Sequence, residues 1–304
     1  MLFNRSILRL EATIHVSGNI FAPRYRGKSK YKMGGVVMEL HSDYKAKYPV
    51  LTLEKAIDVM KYMSANASPE GITITELSDN LGLSKNNVHR ILDTLLASEL
   101  VDRLPGKQSY MLGWGLYELS KTVPTYHNIN TSDYISVMGD LCSRVSESVN
   151  MGICSGNNEC IILCKVNPNR STLISTQVGS VEPLHVAALG KVFMSEWPTK
   201  QIVDYFDTIR TKKVTQKSID NAEQMISECL ETRRRGYAID DEENLDGIRC
   251  VAMPVRDYTE KIVASISVSA PASRMPLDRI QKIVEELAPA CRKLSIRLGY
   301  RGQS

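Results

Sequence analysis

Two short helical patterns separated by a glycine turn lie between residues 73 and 96, and they limit the possible fold more than any other feature. Thr73 and Glu76 stand at capping-box spacing, so their side chains can satisfy two free amides at a helix start. Gly82 follows where the chain must turn, and Ser84 is a suitable N-cap for the next helix. That helix has an apolar stripe formed by Val88, Ile91, Leu92 and Leu95. The pattern predicts a helix-turn-helix.

The flanking segments extend this motif to a winged helix. Residues 52–65 have apolar side chains at helical spacing and predict a preceding helix. Residues 101–112 predict a strand, a turn at 105–108 and a second strand. Because three helices followed by a hairpin are the plan of a winged helix, we expect a DNA-binding domain of this type at residues 48–113.

The helix after Gly82 turns polar side chains outward when its apolar stripe faces the core. Asn pairs with adenine and Arg with guanine, whereas Lys and a helix N-terminus suit phosphate. The expected DNA contacts are Ser84, Lys85, Asn86, Asn87, His89, Arg90 and Lys107. A polar helix face that is merely solvated is the common alternative, but the order of helix, capped helix, turn, polar helix and basic-tipped hairpin favours DNA binding.

A second domain follows a linker helix that we place at residues 114–131. In the second domain, at 132–302, the helix candidates are 132–146, 187–195, 199–206, 219–235 and 276–298. The strand candidates are 149–155, 159–166, 172–177, 250–257 and 261–269. Strands in runs with helices at their ends predict an α+β fold.

The first 45 residues lack sustained periodicity, and we expect a disordered basic tail. Residues 1–37 carry a net charge of +6, which leaves −2 for the remainder because the whole chain carries +4. Codons for Gly34 and Gly35 can spell a bacterial ribosome-binding sequence, so we expect translation to start at Met38. The alternative is a basic arm that adds non-specific DNA affinity.

The use of cysteine and apolar residues favours a cytoplasmic protein with no membrane partner. The seven cysteines include no CxxC pair, which is unlike a secreted disulfide framework. The chain has no run of about 18 apolar residues, as a membrane span needs. Arg5 and Arg9 interrupt the apolar character of the first ten residues, so this segment is a poor secretory signal.

Several blocks carry a family resemblance. In the first domain they are LEKA at 53–56, LSDNLGLSK at 77–85 and VHRIL at 88–92. In the second they are GSVEPLHVAALGK at 179–191, GYAIDDEEN at 236–244, GIRCVAMPV at 247–255 and ISVSAP at 266–271. These blocks resemble the IclR family of bacterial transcription regulators, over about residues 50–300.

The resemblance implies a second domain like the GAF and profilin sensor folds, an antiparallel sheet flanked by helices. Members of the family are usually dimers or dimers of dimers that repress, or less often activate, genes for the breakdown of carboxylic, sugar and aromatic acids. RKLSIRLGY at 292–300 is similar to the family's sugar-acid regulators and favours a 2-keto-3-deoxygluconate-like effector. We therefore expect a repressor that self-associates as a dimer or a dimer of dimers. Its expected partners are operator DNA and a small carboxylic or sugar acid, and we expect no cofactor.

The family's effector pocket corresponds here to Leu184, Ala188, Leu189, Asp240, Cys250, Ser267 and Ser269. Alternation along a strand places both serine hydroxyls on one side, where they and Asp240 can bind the hydroxyls of a sugar acid. Free amides at the start of the helix at 187–195 would suit a carboxylate.

Other chemistries have weaker support. Cys250 can be a nucleophile or a metal ligand, although a small buried apolar role is commoner. The candidate zinc ligands are Cys154, Cys160, Cys164 and His185. Their spacing lacks the close pair of ligands that is typical of a structural zinc site. The acidic run at 240–243 can bind a cation, but a solvated loop is commoner. We expect neither a metal nor a catalytic residue, and a small-molecule enzyme with an accessory helical domain is the alternative.

Overall fold

The computed structural model describes residues 46–123, 131–155, 158–170, 176–208 and 213–302. The predicted tail at 1–45 and the start at Met38 lie outside these residues, as does most of the strand predicted at 172–177. Among the helices of these ranges, none combines the length and the apolar character needed to cross a membrane.

The N-terminal unit begins with three helices, α1 (Leu51–Ala65), α2 (Ile74–Leu81) and α3 (Lys85–Ala97). Thr73 caps α2 by accepting from the Glu76 amide, and Ser84 caps α3 by accepting from the Asn87 amide. Gly82 has a left-handed backbone with φ of 63°, so the chain turns between α2 and α3 without the strain a Cβ would add. The predicted helix-turn-helix therefore forms with the predicted caps.

A small antiparallel sheet completes this unit. Its strands are β1 (Ile72–Thr73), β2 (Val101–Arg103) and β3 (Ser109–Leu112), in the order β1-β3-β2. Val59, Leu77 and Val101 are fully buried in a core shared by the helices and the hairpin, which fixes the wing to the helices. The helix α4 (Trp114–Ser120) follows and begins the linker predicted at 114–131, of which residues 124–130 lie outside the described residues.

The C-terminal unit is built on a six-stranded antiparallel sheet in the order β6-β5-β4-β9-β8-β7. The strands are β4 (Ser148–Cys154), β5 (Glu159–Val166), β6 (Val181–Pro183), β7 (Ala238–Asp241), β8 (Ile248–Arg256) and β9 (Ile262–Pro271). The short outer strands β6 and β7 were not predicted, because three or four residues are too few for a visible alternation.

Helices cover both faces of this sheet. They are α5 (Thr131–Val145), α6 (Ala188–Met194), α7 (Thr199–Thr208), α8 (Ala222–Arg235) and α9 (Ile280–Arg297), the last preceded by a 3₁₀ turn at Leu277–Arg279. One face packs against α5 and α9 around Ile266 and Val268. The other packs against α6, α7 and α8 around Ala238 and Ala252. The predicted α+β architecture, with an N-terminal winged helix-turn-helix and a C-terminal antiparallel sheet flanked by helices, is confirmed.

Candidate nucleic-acid interface and ligand cavity

The outward face of α3 holds most of the residues predicted to contact DNA. Lys85, Asn86, His89 and Arg90 are exposed, and Asn87 is half-buried beside the capping hydroxyl of the exposed Ser84. The amides of the first turn of α3 also lie at this end, where the helix dipole favours an anion. The surface therefore combines amide, imidazole and guanidinium groups with a phosphate-suited helix start.

The wing adds basic groups beside α3. Lys107, at the β2–β3 turn, forms an ion pair with Glu70, and both side chains are largely exposed. Because an exposed pair contributes little stability, phosphate can replace Glu70 as the partner at small cost. Arg103 is exposed on β2 and was not among the predicted residues. Its position in the first strand of the predicted hairpin, just before the turn, could have identified it as a candidate DNA contact.

A cavity of about 50 Å³ lies between the second sheet and the start of α6. Six of the seven residues predicted for the effector pocket line it: Ala188, Leu189, Asp240, Cys250, Ser267 and Ser269. The seventh, Leu184, is fully buried in the apolar core with residues of α6, α7 and α8. It therefore supports the cavity wall from behind instead of lining it.

Strand register explains how distant residues meet at this cavity. Cys250 on β8 lies directly opposite both Asp240 on β7 and Ser269 on β9. Asn150 on β4 pairs with Ser267 on β9, and its Nδ2 donates to Ser269 Oγ at 3.1 Å. Because alternate residues of a strand share a face, these polar groups all lie on the side covered by α6.

Four polar residues of the cavity wall were not predicted from the sequence: Asn150, Thr176, Glu182 and Asn244. A signal existed for Asn150, since a polar residue between Val149 and Met151 interrupts an apolar strand. The pairing of β4 with β9, which brings it to the cavity, could not be derived from the sequence. Glu182 lies on β6, which was too short to predict.

Burial raises the pKa of the ionisable side chains in the cavity wall. Asp240 is only 1% exposed, and its Oδ1 accepts from the amides of Glu243 and Asn244 at 2.7 and 3.2 Å. Burial raises the pKa of Asp240 to about 7 despite these bonds. It also raises the pKa of Glu182 to about 7, and repulsion from Asp240 adds to that shift. Burial holds the Cys250 thiol neutral by raising its pKa, which favours neither a nucleophile nor a thiolate ligand.

A buried lysine joins α6 to the loop after β7. Lys191 is 1% exposed, and its Nζ donates to Glu243 Oε1 at 2.6 Å and to the Ile239 carbonyl at 2.9 Å. Glu228 on α8 lies 3.9 Å from the same Nζ. Because Glu243 also bonds to Asp240 through its amide, this ion pair fixes one edge of the cavity wall.

Two family models match the chain. The IclR helix-turn-helix domain matches residues 52–105, and the model described as the bacterial transcriptional regulator IclR C-terminal domain matches residues 126–296. This chain belongs to the IclR family. IclR-family proteins with these domains are transcription regulators and not enzymes, so the enzyme alternative has no support.

Individual IclR-family proteins agree with this assignment. The chain is 26% identical to the transcriptional regulator KdgR of Escherichia coli K12 over 250 residues, 82% of this chain and 94% of KdgR. It is 28% identical to the transcriptional repressor AllR of Klebsiella pneumoniae over 256 residues, 83% of this chain and 91% of AllR. The crystal structure of Thermotoga maritima IclR matches with a TM-score of 0.67 and 26% identity, covering 83% of this chain and all of that one. The predicted family is confirmed.

Proposed function

We propose that this IclR-family regulator represses a catabolic operon by binding its operator, and that a small carboxylic or sugar acid in the cavity controls it. The observation that carries this proposal is that one chain holds both an exposed polar helix with a capped start and a separate polar cavity. We assign DNA binding to residues 48–113, the linker to 114–131 and effector binding to 132–302.

The DNA-binding part of the proposal rests on α3 and the wing. Arg90, Asn86 and His89 are free to reach base edges in the major groove, because the buried stripe of α3 holds their side chains outward. We expect phosphate contacts from the helix start and from the wing, through Ser84, Lys85, Asn87 and Lys107. Operator DNA lies in the bacterial cytoplasm, and we place the protein there.

The effector part rests on the chemistry of the cavity. Ser267, Ser269 and Asp240 offer a hydroxyl-binding wall, and Ala188 and Leu189 close it with apolar surface. Sugar acids are the class that the sequence resemblance favours, and a 2-keto-3-deoxygluconate-like compound is the first candidate. Repression is the activity that the name of AllR states for that relative, and we extend it to this chain.

A binding experiment with the protein's own upstream DNA tests the proposal. A labelled duplex from that region is titrated with full-length protein beside a shuffled duplex, at one fixed salt concentration. We expect specific binding to be tighter by about 10³-fold or more. Equal affinity for the two duplexes would refute DNA recognition. In cells, deletion of the gene should raise transcription of the target operon, and a fall would show activation instead.

A further inference from the structure

We infer that a groove between α7 and α8 is a second ligand site, which takes an amphipathic monocarboxylate with an apolar body of about eight to ten carbons. The groove is separate from the polar cavity at the start of α6, because the two share none of their described lining residues. The inference goes beyond the proposed function, since operator binding and control through the polar cavity do not depend on it.

The floor and one wall of the groove are apolar. Trp197 lies just before α7, Ile202 lies on α7, and Ile226 and Cys229 lie on α8. Ile202 and Cys229 are each 2% exposed, so they form a closed floor, and the half-buried indole of Trp197 stands beside it. Such a surface binds apolar groups because it removes them from water.

A guanidinium group gives the groove a cationic end. Arg233 on α8 lines the groove, and its Nε and Nη2 donate to the carbonyl of Ser195 at the end of α6. These bonds hold the guanidinium in place. Among the described residues none accepts a hydrogen bond from Nη1, so this nitrogen can donate to a ligand carboxylate. Glu196, the acidic residue among the described lining residues, is paired with Arg256. The charges therefore favour an anionic group on the ligand.

The size and the rim of the groove favour a small molecule over a protein partner. The volume of about 280 Å³ is about twice the roughly 150 Å³ that accommodates benzene in an engineered protein cavity. Of the described apolar lining residues, Leu230 and Pro198 alone are exposed, whereas a stable protein interface buries about 800 Å² on each partner. Residues 209–212 lie outside the described residues and follow the end of α7 opposite to the one that lines the groove. The groove thus fits one medium-chain or two-ring acid.

Calorimetric titration of the full-length protein tests the inference with two matched pairs, octanoate against 1-octanol and 2-naphthoate against 2-naphthol. We expect at least one acid to bind with a Kd below about 1 mM, and about fivefold or more tightly than its neutral partner. The pair that shows this preference more strongly distinguishes an aliphatic from an aromatic ligand. Trp114 and Trp197 are the two tryptophans of the chain, so in a Trp114→Phe variant the fluorescence of Trp197 reports whether the acid enters the groove.

Substitutions on α8 separate the effect of charge from the effect of apolar contact. Arg233→Gln should lower the affinity for the acid to that for its neutral partner, because it removes the cation alone. Arg234→Gln is the matched control: Arg234 is the next residue along α8, is paired with Glu231 and does not line the groove, so both affinities should be unchanged. Leu230→Ser shortens the exposed apolar rim and should weaken the binding of acid and neutral partner alike.

The inference fails if neither acid binds below about 1 mM, or if acid and neutral partner bind equally in both pairs. Acid binding that leaves the fluorescence of Trp197 unchanged also overturns it, as does an unaltered acid affinity in both Arg233→Gln and Leu230→Ser. If neither acid binds and Leu230→Ser lowers self-association in sedimentation, a second copy of the chain occupies the groove and the inference is wrong. Operator binding, measured on the same preparation, tests the proposed function separately.

Discussion

Arg90 and Lys85 are both exposed on α3, but they offer DNA different interactions. The guanidinium of Arg90 can pair with O6 and N7 of guanine, so Arg90→Ala should cost about 1–3 kcal/mol of operator affinity and relax specificity at one base pair. Lys85 lies at the helix start and suits phosphate, so Lys85→Ala should weaken binding to all sequences and lower the salt slope by about one. Anisotropy titrations at several salt concentrations measure both effects.

The matched control is Lys282→Ala, exposed on α9 in the other domain, which should leave operator affinity unchanged. Operator binding that is unaltered in both α3 variants would show that α3 is not the recognition helix.

Gly190 allows α6 to lie directly against the chain that follows β6. A Cβ at this position would stand 2.4 Å from both the Cα and the carbonyl oxygen of Leu184, which are backbone atoms with little freedom to move. Gly190→Ala should therefore lower the free energy of unfolding by about 1–3 kcal/mol or more through overpacking. Gly139→Ala in α5 meets nothing within 4 Å and should be neutral or stabilising by up to about 1 kcal/mol. Urea denaturation of both variants compares them, and equal stability would contradict the close approach.

The helix-turn-helix was predicted from interactions between residues close together in the sequence. Capping residues at Thr73 and Ser84 and the stripe of α3 fixed the helix-turn-helix, because caps and periodicity act within a few residues. The cavity depends instead on β4 pairing with β9, which joins residues more than 100 positions apart in the sequence, and on β9 pairing with β8, which brings Cys250 opposite Ser269. The pocket residues were inferred from family resemblance. Asn150 was missed because the pairing of β4 with β9 could not be derived from the sequence, and Glu182 was missed because β6 was too short to predict.

The Lys191–Glu243 ion pair connects α6 with the loop that follows β7. Lys191→Met should destabilise the protein by about 3–5 kcal/mol, because it leaves Glu243 buried without its cation. The double variant Lys191→Met with Glu243→Gln should recover much of this loss, as removing both charges removes the desolvation penalty. Chemical denaturation of the two single variants and the double variant gives the coupling energy.

The control for this cycle is Lys200→Met on α7, which breaks an exposed pair with Asp204 and should change stability by less than about 1 kcal/mol. If the losses of unfolding free energy in the two single variants add up to the loss in the double variant, Lys191 and Glu243 do not stabilise each other.

Charge is unevenly distributed along the chain. Residues 1–37 carry +6 and the remaining residues −2, so the part with the two assigned domains has no overall attraction for DNA. We therefore expect the DNA affinity of residues 38–304 to come from local contacts of α3 and the wing. A single module of this kind makes a small interface of about 600–1,000 Å², and two modules joined in a dimer would bind two half-sites together.

Exposed apolar side chains on α1 and α4 indicate where such a dimer would form. Trp114 and Tyr117 on α4 are 79% and 67% exposed and contact each other edge to face, and Leu51 and Leu53 on α1 are also exposed. Large apolar groups concentrated on two helices favour association because burying them removes apolar area from water. We expect Trp114→Ser with Tyr117→Ser to shift the protein towards monomer in analytical ultracentrifugation and to weaken operator binding at low protein concentration. Leu277→Ser removes an exposed leucine from the other domain and should change neither property. A dimer of unaltered stability in the α4 double variant would place the interface elsewhere on the molecule.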